Sequence, residues 1–295
     1  MTPQAYCEQK VRQSGSSFYY SFLFLTAKQR EAMIALYAFC REIDDIVDAP
    51  YYKNNDSSIA QTKLNWWRNE VQNIYTHKAS HPIAIAISKC LENYNFKQGY
   101  FLDIINGMEM DLFHNGFETM DDLKTYCYHV AGAVGLLTIE ITGYADQNRK
   151  KIQNYAKDLG TALQLINILR DVKEDYQRER IYIPKQEMTK FNVTTDMFST
   201  QNNVKTLALY NHLSHQIDYY YQQAIANLTD EDRYQQKTAL IMANIYLAIF
   251  NKIKQQNYPV TLQRISIHPI HKLWIAWKTA RQEAKREKHR KQIIS

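Results

Sequence analysis

The chain has 295 residues, 45% hydrophobic and 13% aromatic, with 36 Lys and Arg against 30 Asp and Glu for a formal charge of +6. That is a globular composition, not a disordered one, and eight glycines with six prolines are too few for a loop-rich β fold. The four cysteines, Cys7, Cys40, Cys90 and Cys127, form no CxxC pair and no zinc spacing, which excludes a zinc ribbon and suits a reducing cytoplasm.

Helical periodicity dominates along the chain. Ser14 to Thr26 is aromatic and apolar but polar-interrupted, without the basic region and small-residue cleavage site of a signal peptide. Lys28 to Ala49 carries Met33, Ile34, Leu36, Tyr37, Cys40, Ile43 and Val47 at three- and four-residue steps. Ser58 and Gln61 predict a capping box and a helix to His77. Pro82 to Asn93 follows, with proline in its opening turn, and then Lys97 to Asn115. Thr119 and Asp122 predict a second capping box, ahead of a helix to about Gly143. Gln147 to Gln177 reads as one long helix; Val204 to Leu228, Glu231 to Asn257 and Pro269 to Arg290 complete the series. No break looks like an interdomain linker, so the prediction is one all-α domain over 1–295 with a basic C-terminal helix or tail at about 279–295. No run approaches the ~18 apolar residues of a membrane-spanning helix. The protein is expected in the cytoplasm, soluble or peripheral to the inner face of the membrane. Arg281, Lys285, Arg286, Lys288, Arg290 and Lys291 read first as a solvated helix end that suits the helix dipole, with an anionic lipid surface as the alternative.

Two aspartate pairs, Asp44 with Asp48 and Asp171 with Asp175, stand i,i+4 within predicted helices. Residues four apart share a face, and like charges there cost an isolated helix roughly 0.2–0.5 kcal/mol. Apolar neighbours Ile43, Ile46, Val47, Leu165, Ile166 and Leu169 point to burial of both helices. A divalent cation relieves such repulsion: Mg²⁺ is usually held by one or two carboxylates together with substrate phosphates. Arg41 shares the face of the first pair, and Gln164, Asn167, Asp171, Asp175 and Arg178 continue one face around the second. Arg41, Arg170, Arg178 and Arg180 bring planar forks suited to phosphate oxygens. The pairs are far apart in sequence, as when facing helices build a site in a bundle core.

Ionising an allylic diphosphate leaves a carbocation, which needs a dry apolar cavity. The segment Tyr126-Cys127-Tyr128-His129-Val130-Ala131-Gly132-Ala133-Val134-Gly135 is a candidate lining. Its glycines make room either for a ligand or for close helix packing, and Tyr126 is placed to orient phosphate or accept a proton. Asp111-Leu112-Phe113-His114 has metal-ligand spacing but no second copy, which argues against a di-iron bundle. There is no P-loop and no G-x-G-x-x-G fingerprint.

Four of these segments together resemble the squalene/phytoene synthase family. Tyr37-Ala38-Phe39-Cys40-Arg41-Glu42-Ile43-Asp44-Asp45-Ile46-Val47-Asp48 is similar to its first aspartate-rich motif, and Asn167-Ile168-Leu169-Arg170-Asp171-Val172-Lys173-Glu174-Asp175 to its second. Tyr126 through Gly135 resembles its Tyr-Cys-x-x-Val-Ala-Gly-x-Val-Gly segment, and Arg180-Ile181-Tyr182-Ile183-Pro184 its Arg-x-Tyr-x-Pro follow-on. The likeness runs from about Ser14 to Pro184 and is weak beyond. It implies an all-α class I isoprenoid synthase fold with a central cavity. It implies head-to-head (1′-1) condensation of two prenyl diphosphates through a cyclopropyl diphosphate, with two or three Mg²⁺ ions. Metal ligation carries over to Asp44, Asp48, Asp171 and Asp175, with Asp44, Asp171 and Tyr126 expected to be catalytic. Phosphate contacts carry over to Arg41, Tyr126, Asn167 and Arg170, with Ser14, Ser16, Gln164 and Arg178 expected beside them. The form Ser14-Gly15-Ser16-Ser17-Phe18-Tyr19-Tyr20-Ser21-Phe22 most resembles the bacterial presqualene diphosphate synthases of the hopanoid pathway.

The expectation is therefore a monomeric prenyltransferase making presqualene diphosphate from two farnesyl diphosphates, without NADPH and without a nucleic-acid partner. Squalene, dehydrosqualene and phytoene are the alternative products. A non-catalytic assembly-factor homologue need not keep both acid pairs. An RNA-binding protein is disfavoured because the basic tail lacks interleaved aromatics.

Overall fold

The computed structural model describes residues 1–14, 19–48, 57–113 and 115–294, and among them the regular elements are all helical. They are α1 (Pro3–Gln13), α2 (Tyr19–Phe22), α3 (Ala27–Val47), α4 (Ser57–Tyr75), α5 (Pro82–Cys90), α6 (Gln98–Leu112), α7 (Met120–Cys127), α8 (Ala133–Thr142), α9 (Arg149–Arg170), α10 (Val172–Gln177), α11 (Lys185–Lys190), α12 (Val204–Asn227), α13 (Lys237–Gln255) and α14 (Pro269–Ile294). Local signals explain several starts. Thr26 and Gln29 form a capping box ahead of α3, and Thr119 and Asp122 form the expected one ahead of α7. The box expected at Ser58 is not built as read: Ser58 lies inside α4, and Gln61 donates to Glu109 across to α6 at 2.6 Å. All four cysteines are free, and among the described residues no helix is long and apolar enough to cross a membrane.

Helix α9 runs through the middle and packs against α7, α8, α12 and α13. The buried apolar side chains form three clusters: one around α1 and α3 to α6, one around the C-terminal half of α9 with α12 to α14, and one around its N-terminal half with α8. Each cluster turns residues toward a common cavity. Met33 and Ile104 come from the first, Tyr126 and Met242 from the second, Ile139 and Leu159 from the third.

The helix expected from Thr119 to Gly143 is interrupted by a π-helical turn at Tyr128–Gly132. Such turns insert a residue and re-aim the side chains around them. This one is wedged between α6 and α9, where two glycines let backbones meet. A Cβ on Gly107 would lie 2.6 Å from Val130 Cγ1, and one on Gly160 would lie 2.8 Å from the Ala131 carbonyl. The sequence left open whether glycine here serves packing or a cavity. Both hold, because Val130, Ala131 and Gly160 also line the cavity.

On the outer layer, Glu70 of α4 is buried and acts as an internal cap for the turn into α5. It accepts from the Ser80 and His81 N–H groups at 2.5 and 2.7 Å and from Asn73 at 3.1 Å. Burial pushes its carboxyl up, but the His81, Asn73 and Ser80 donors outweigh that and hold it below the ordinary range. Glu70→Ala leaves those donors without an acceptor and is expected to cost about 2–4 kcal/mol, read as a lower Tm. Because the folded carboxyl titrates below the unfolded one, this contribution is full above the unfolded pKa and is lost as pH falls through the folded one. An acid limb of the Tm profile that Glu70→Ala leaves unaltered would contradict this role.

Candidate active site

The first aspartate pair sits at the C-terminus of α3, and the second spans the junction of α9 and α10. Asp48 caps α3 and donates its N–H to the Asp44 carbonyl at 3.1 Å. The helix expected from Gln147 to Gln177 breaks at Asp171, which leaves helical geometry (φ −103°, ψ 14°) between α9 and α10. The pair still holds its spacing, because the Asp175 N–H reaches the Asp171 carbonyl at 2.9 Å. The C-terminus of α3 carries partial negative charge, so the carboxylates of Asp44 and Asp48 add to an existing negative potential. Burial adds to it. The Asp44 carboxyl is pushed up to about 6 by desolvation and by Asp48, and Asp175 to about 7 by desolvation and by Asp171.

Five arginines oppose this charge. Arg41 reaches Asp44 at 2.7 Å and Asp45 at 2.6 Å. Arg180 donates to Asp48 at 3.0 Å and to the Val47 carbonyl at 2.9 Å, capping α3 with a cation. Arg178 approaches Asp48 at 3.4 Å. Asp171 is held by the forks of two guanidiniums, Arg170 with Nε at 2.8 Å and Arg264 with Nε at 2.8 Å and Nη2 at 3.2 Å. Burial pushes the Asp171 carboxyl up, but these two arginines prevail and hold it below its ordinary value.

The pairs open onto one cavity of about 850 Å³, within the usual range for a small-molecule site. Its charged end carries Arg41, Asp44, Asp48, Asp171, Asp175 and the arginines above; its deep end is Met33, Ile104, Met108, Ile139, Leu159 and Met242. Ser14, Tyr126, Gln164, Asn167, Arg170 and Arg178 line it as well. Every site residue expected from the sequence thus meets at this cavity except Ser16, which lies outside the described residues.

The hydroxyl of Tyr126 has a partner the sequence did not reveal. It donates to Asp111 at 2.9 Å, and Tyr182 donates to the other oxygen of the same carboxylate at 2.8 Å. Burial first, and Asp111 second, raise the Tyr126 phenol well above its ordinary value. Tyr126 therefore stays protonated and acts as a donor. Asp111, whose metal-ligand spacing with His114 has no second copy in the sequence, is buried on the apolar face of α6 and is pushed up to about 6 by desolvation. A lone acid at a core-facing helical position was the signal. Arg264 and Lys272 also line the cavity, yet lie in and after a stretch without periodicity. Asn244 of α13 donates to Thr279 at 2.9 Å, tying α13 to α14.

Among the described residues no group of three or more His, Cys, Asp and Glu is gathered closely enough to hold a metal ion by itself. The donor set nevertheless fits ions shared with a ligand. Each pair presents two carboxylates, and the Asn167 side-chain oxygen, one turn before Asp171, is buried without a hydrogen-bond donor. An orphaned acceptor beside crowded carboxylates matches a cation whose remaining ligands are phosphate oxygens and water.

A family model described as squalene/phytoene synthase matches residues 11–271. The chain is 32% identical over 272 residues to a phytoene synthase of Arthrospira platensis, covering 88% of this chain and 86% of the relative. It is 31% identical over 277 residues to a chloroplastic phytoene synthase of an Oncidium hybrid cultivar, covering 90% of this chain but only 65% of that longer relative. The crystal structure of a dehydrosqualene synthase in complex with ligand superposes with a TM-score of 0.81 at 29% identity, covering 96% of this chain and 97% of the other.

Proposed function

The chain belongs to the squalene/phytoene synthase family, and from that premise we propose that it joins two farnesyl diphosphates head to head and carries the cyclopropyl diphosphate on to a linear C30 hydrocarbon of the dehydrosqualene type. The observation that carries the reading is the single cavity with both acid pairs at its charged end and an apolar deep end. Its likeness to a dehydrosqualene synthase at 29% identity and to phytoene synthases supports a reaction in which both diphosphates leave.

Without ligand the arginines neutralise the carboxylates. On binding, the partners exchange. Arg41, Arg170, Arg178, Arg180 and Arg264, with Lys272, turn to diphosphate oxygens, where bidentate donation is strongest. The freed Asp44 and Asp48, and Asp171 and Asp175 with Asn167, would hold Mg²⁺. Bound Mg²⁺ supplies Lewis acidity to the leaving diphosphate and a template for it. The Tyr126–Asp111–Tyr182 cluster stiffens the wall next to the reacting carbons and keeps the Tyr126 phenol a donor. The deep apolar end takes the prenyl chains and keeps water from the allylic cation. Proton loss, not hydride addition, ends this sequence, so NADPH has no part in it.

A second reading, release of presqualene diphosphate itself, rests on the Ser14–Phe22 form, of which Gly15, Ser16, Ser17 and Phe18 lie outside the described residues. One assay separates the readings: the protein, Mg²⁺ and either farnesyl or geranylgeranyl diphosphate, with and without NADPH, followed by mass spectrometry before and after phosphatase. Dehydrosqualene from farnesyl diphosphate without NADPH is expected. Presqualene alcohol seen only after phosphatase would install the second reading. Squalene appearing only with NADPH, or a C40 product only from the longer substrate, would overturn the choice of product. No condensate from either substrate would overturn the function.

A further inference from the structure

Helix α14 presents an uncovered face whose chemistry changes along its length. Positions 270, 274, 277, 281, 285 and 288 follow at steps of three and four and share one side. The first half of that side is apolar: Ile270 is 70% exposed, and Trp274 and Trp277 are each 50% exposed, with Leu273 beside them at 43%. The second half is cationic, with Arg281, Lys285 and Lys288 exposed. Lys278 and Arg281 lie over the Trp274 and Trp277 rings at 4.8 and 5.2 Å, bringing charge and aromatic surface together. The acidic residues of the helix face the other way: Glu283 is buried against Arg233 at 3.0 Å, and Glu287 pairs with Arg290 at 2.9 Å. The opposite side of α14 is already used, with Ile275, Ala276 and Thr279 packed on the body of the protein.

Two large indoles held half in water beside an isoleucine and a leucine form a patch that solvation alone does not favour. Trp at the edge of an apolar patch, with Lys and Arg on the same face and no exposed acid, is the pattern of a helix lying in a lipid–water interface. A second copy of the chain fits poorly, because it would bring the same cations to the contact. The patch also has a position. Lys272, within the same turns of α14, lines the cavity and lies 5.9 Å from the Tyr20 ring of α2, and Arg264 and Ser266 of the preceding loop line it too. Lys272 projects from the side of α14 opposite Ile270 and Trp274, so the helix stands between its uncovered apolar face and the cavity.

We propose that the exposed face of α14 docks on an anionic bilayer surface, with Ile270, Leu273, Trp274 and Trp277 entering the headgroup layer and Arg281, Lys285 and Lys288 resting on lipid phosphates. The consequence for catalysis, prenyl substrate and hydrocarbon product moving through lipid, rests on the proposed function; the docking itself does not.

The test is vesicle flotation of the full chain on phosphatidylcholine alone and on an equal mixture with phosphatidylglycerol. The wild type is expected to float with the anionic vesicles and to be released by high salt. Trp274→Ser with Trp277→Ser should lower the partition coefficient roughly tenfold on those vesicles. Arg281→Glu with Lys285→Glu and Lys288→Glu should abolish the preference for phosphatidylglycerol. Both variants are expected to keep their helicity and their turnover of detergent-dispersed substrate. Flotation unchanged by the tryptophan pair, or no flotation of the wild type, would overturn the proposal. So would a wild-type dimer in sedimentation that the tryptophan pair dissolves, because it would make the face a contact between copies. Binding is read without turnover, so a failure here leaves the reading of the cavity untouched.

Discussion

Asp44→Asn and Asp171→Asn should each slow condensation by roughly a thousandfold or more, equivalent to about 4 kcal/mol of lost transition-state stabilisation. Both substitutions keep side-chain shape and remove one negative oxygen. They should part company in stability. Asp44 stands in a crowd of carboxylates that burial and Asp48 already push toward the protonated form, so neutralising it relieves repulsion. Its Tm should hold or rise. Asp171 anchors Arg170 and Arg264, and its carboxyl is held below the ordinary range by them. Neutralising it leaves Arg170, which is largely buried, with a weaker partner, and a loss on the order of 1–3 kcal/mol is expected. EDTA should stop the wild type and Mg²⁺ should restore it. Single-turnover rates and calorimetry give both quantities. Full rate in either variant, or in the wild type with EDTA, would sink the assignment of these aspartates as metal ligands. Equal Tm changes in the two variants would contradict the electrostatic account.

Gly160→Ala should disturb the wall of the cavity from behind. The added Cβ would lie 2.8 Å from the Ala131 carbonyl carbon and oxygen and 2.9 Å from the Gly132 nitrogen. These are backbone atoms, so no side chain can swing away. Alanine gains about 1 kcal/mol of helix propensity over glycine. Overpacking against a fixed backbone typically costs 1–3 kcal/mol and sometimes more, and with main-chain atoms on the far side the upper end applies. A net loss on the order of 2 kcal/mol is expected, seen as a Tm lower by several degrees. Moving the π-helical turn also moves Val130 and Ala131 in the cavity wall. Misplacement by about 1 Å can cost on the order of a hundredfold in rate. A variant with wild-type Tm and rate would show that α9 and the π-helical turn separate freely.

Much of the helical layout follows from local rules. Three- and four-residue apolar steps mark α3 and α9, and Thr119 with Asp122 marks the start of α7. Helix α1 leaves no apolar period in the sequence because only Cys7 and Val11 of it are buried. The break at Asp171 is hidden for the opposite reason: the apolar pattern runs into it without glycine or proline, and the chain turns there between α9 and α10. One backbone hydrogen bond, from the Asp175 N–H to the Asp171 carbonyl, keeps the two carboxylates one turn apart across the break, although the continuous helix expected there is not built.

By itself, the sequence determined the helical class, the paired acids, the arginines beside them and the family resemblance, because each depends on residues within a few turns of one another. Tertiary structure alone decided that Arg264 grips Asp171 from 93 positions away, that Tyr126 and Tyr182 close on Asp111, and that α14 leaves two tryptophans uncovered. It also decided the protonation tendencies, since Asp44 and Asp171 are the same residue type in similar motifs and shift in opposite directions. The physical reason is that burial and the nearest opposite charge set those shifts, and both are properties of how distant segments pack.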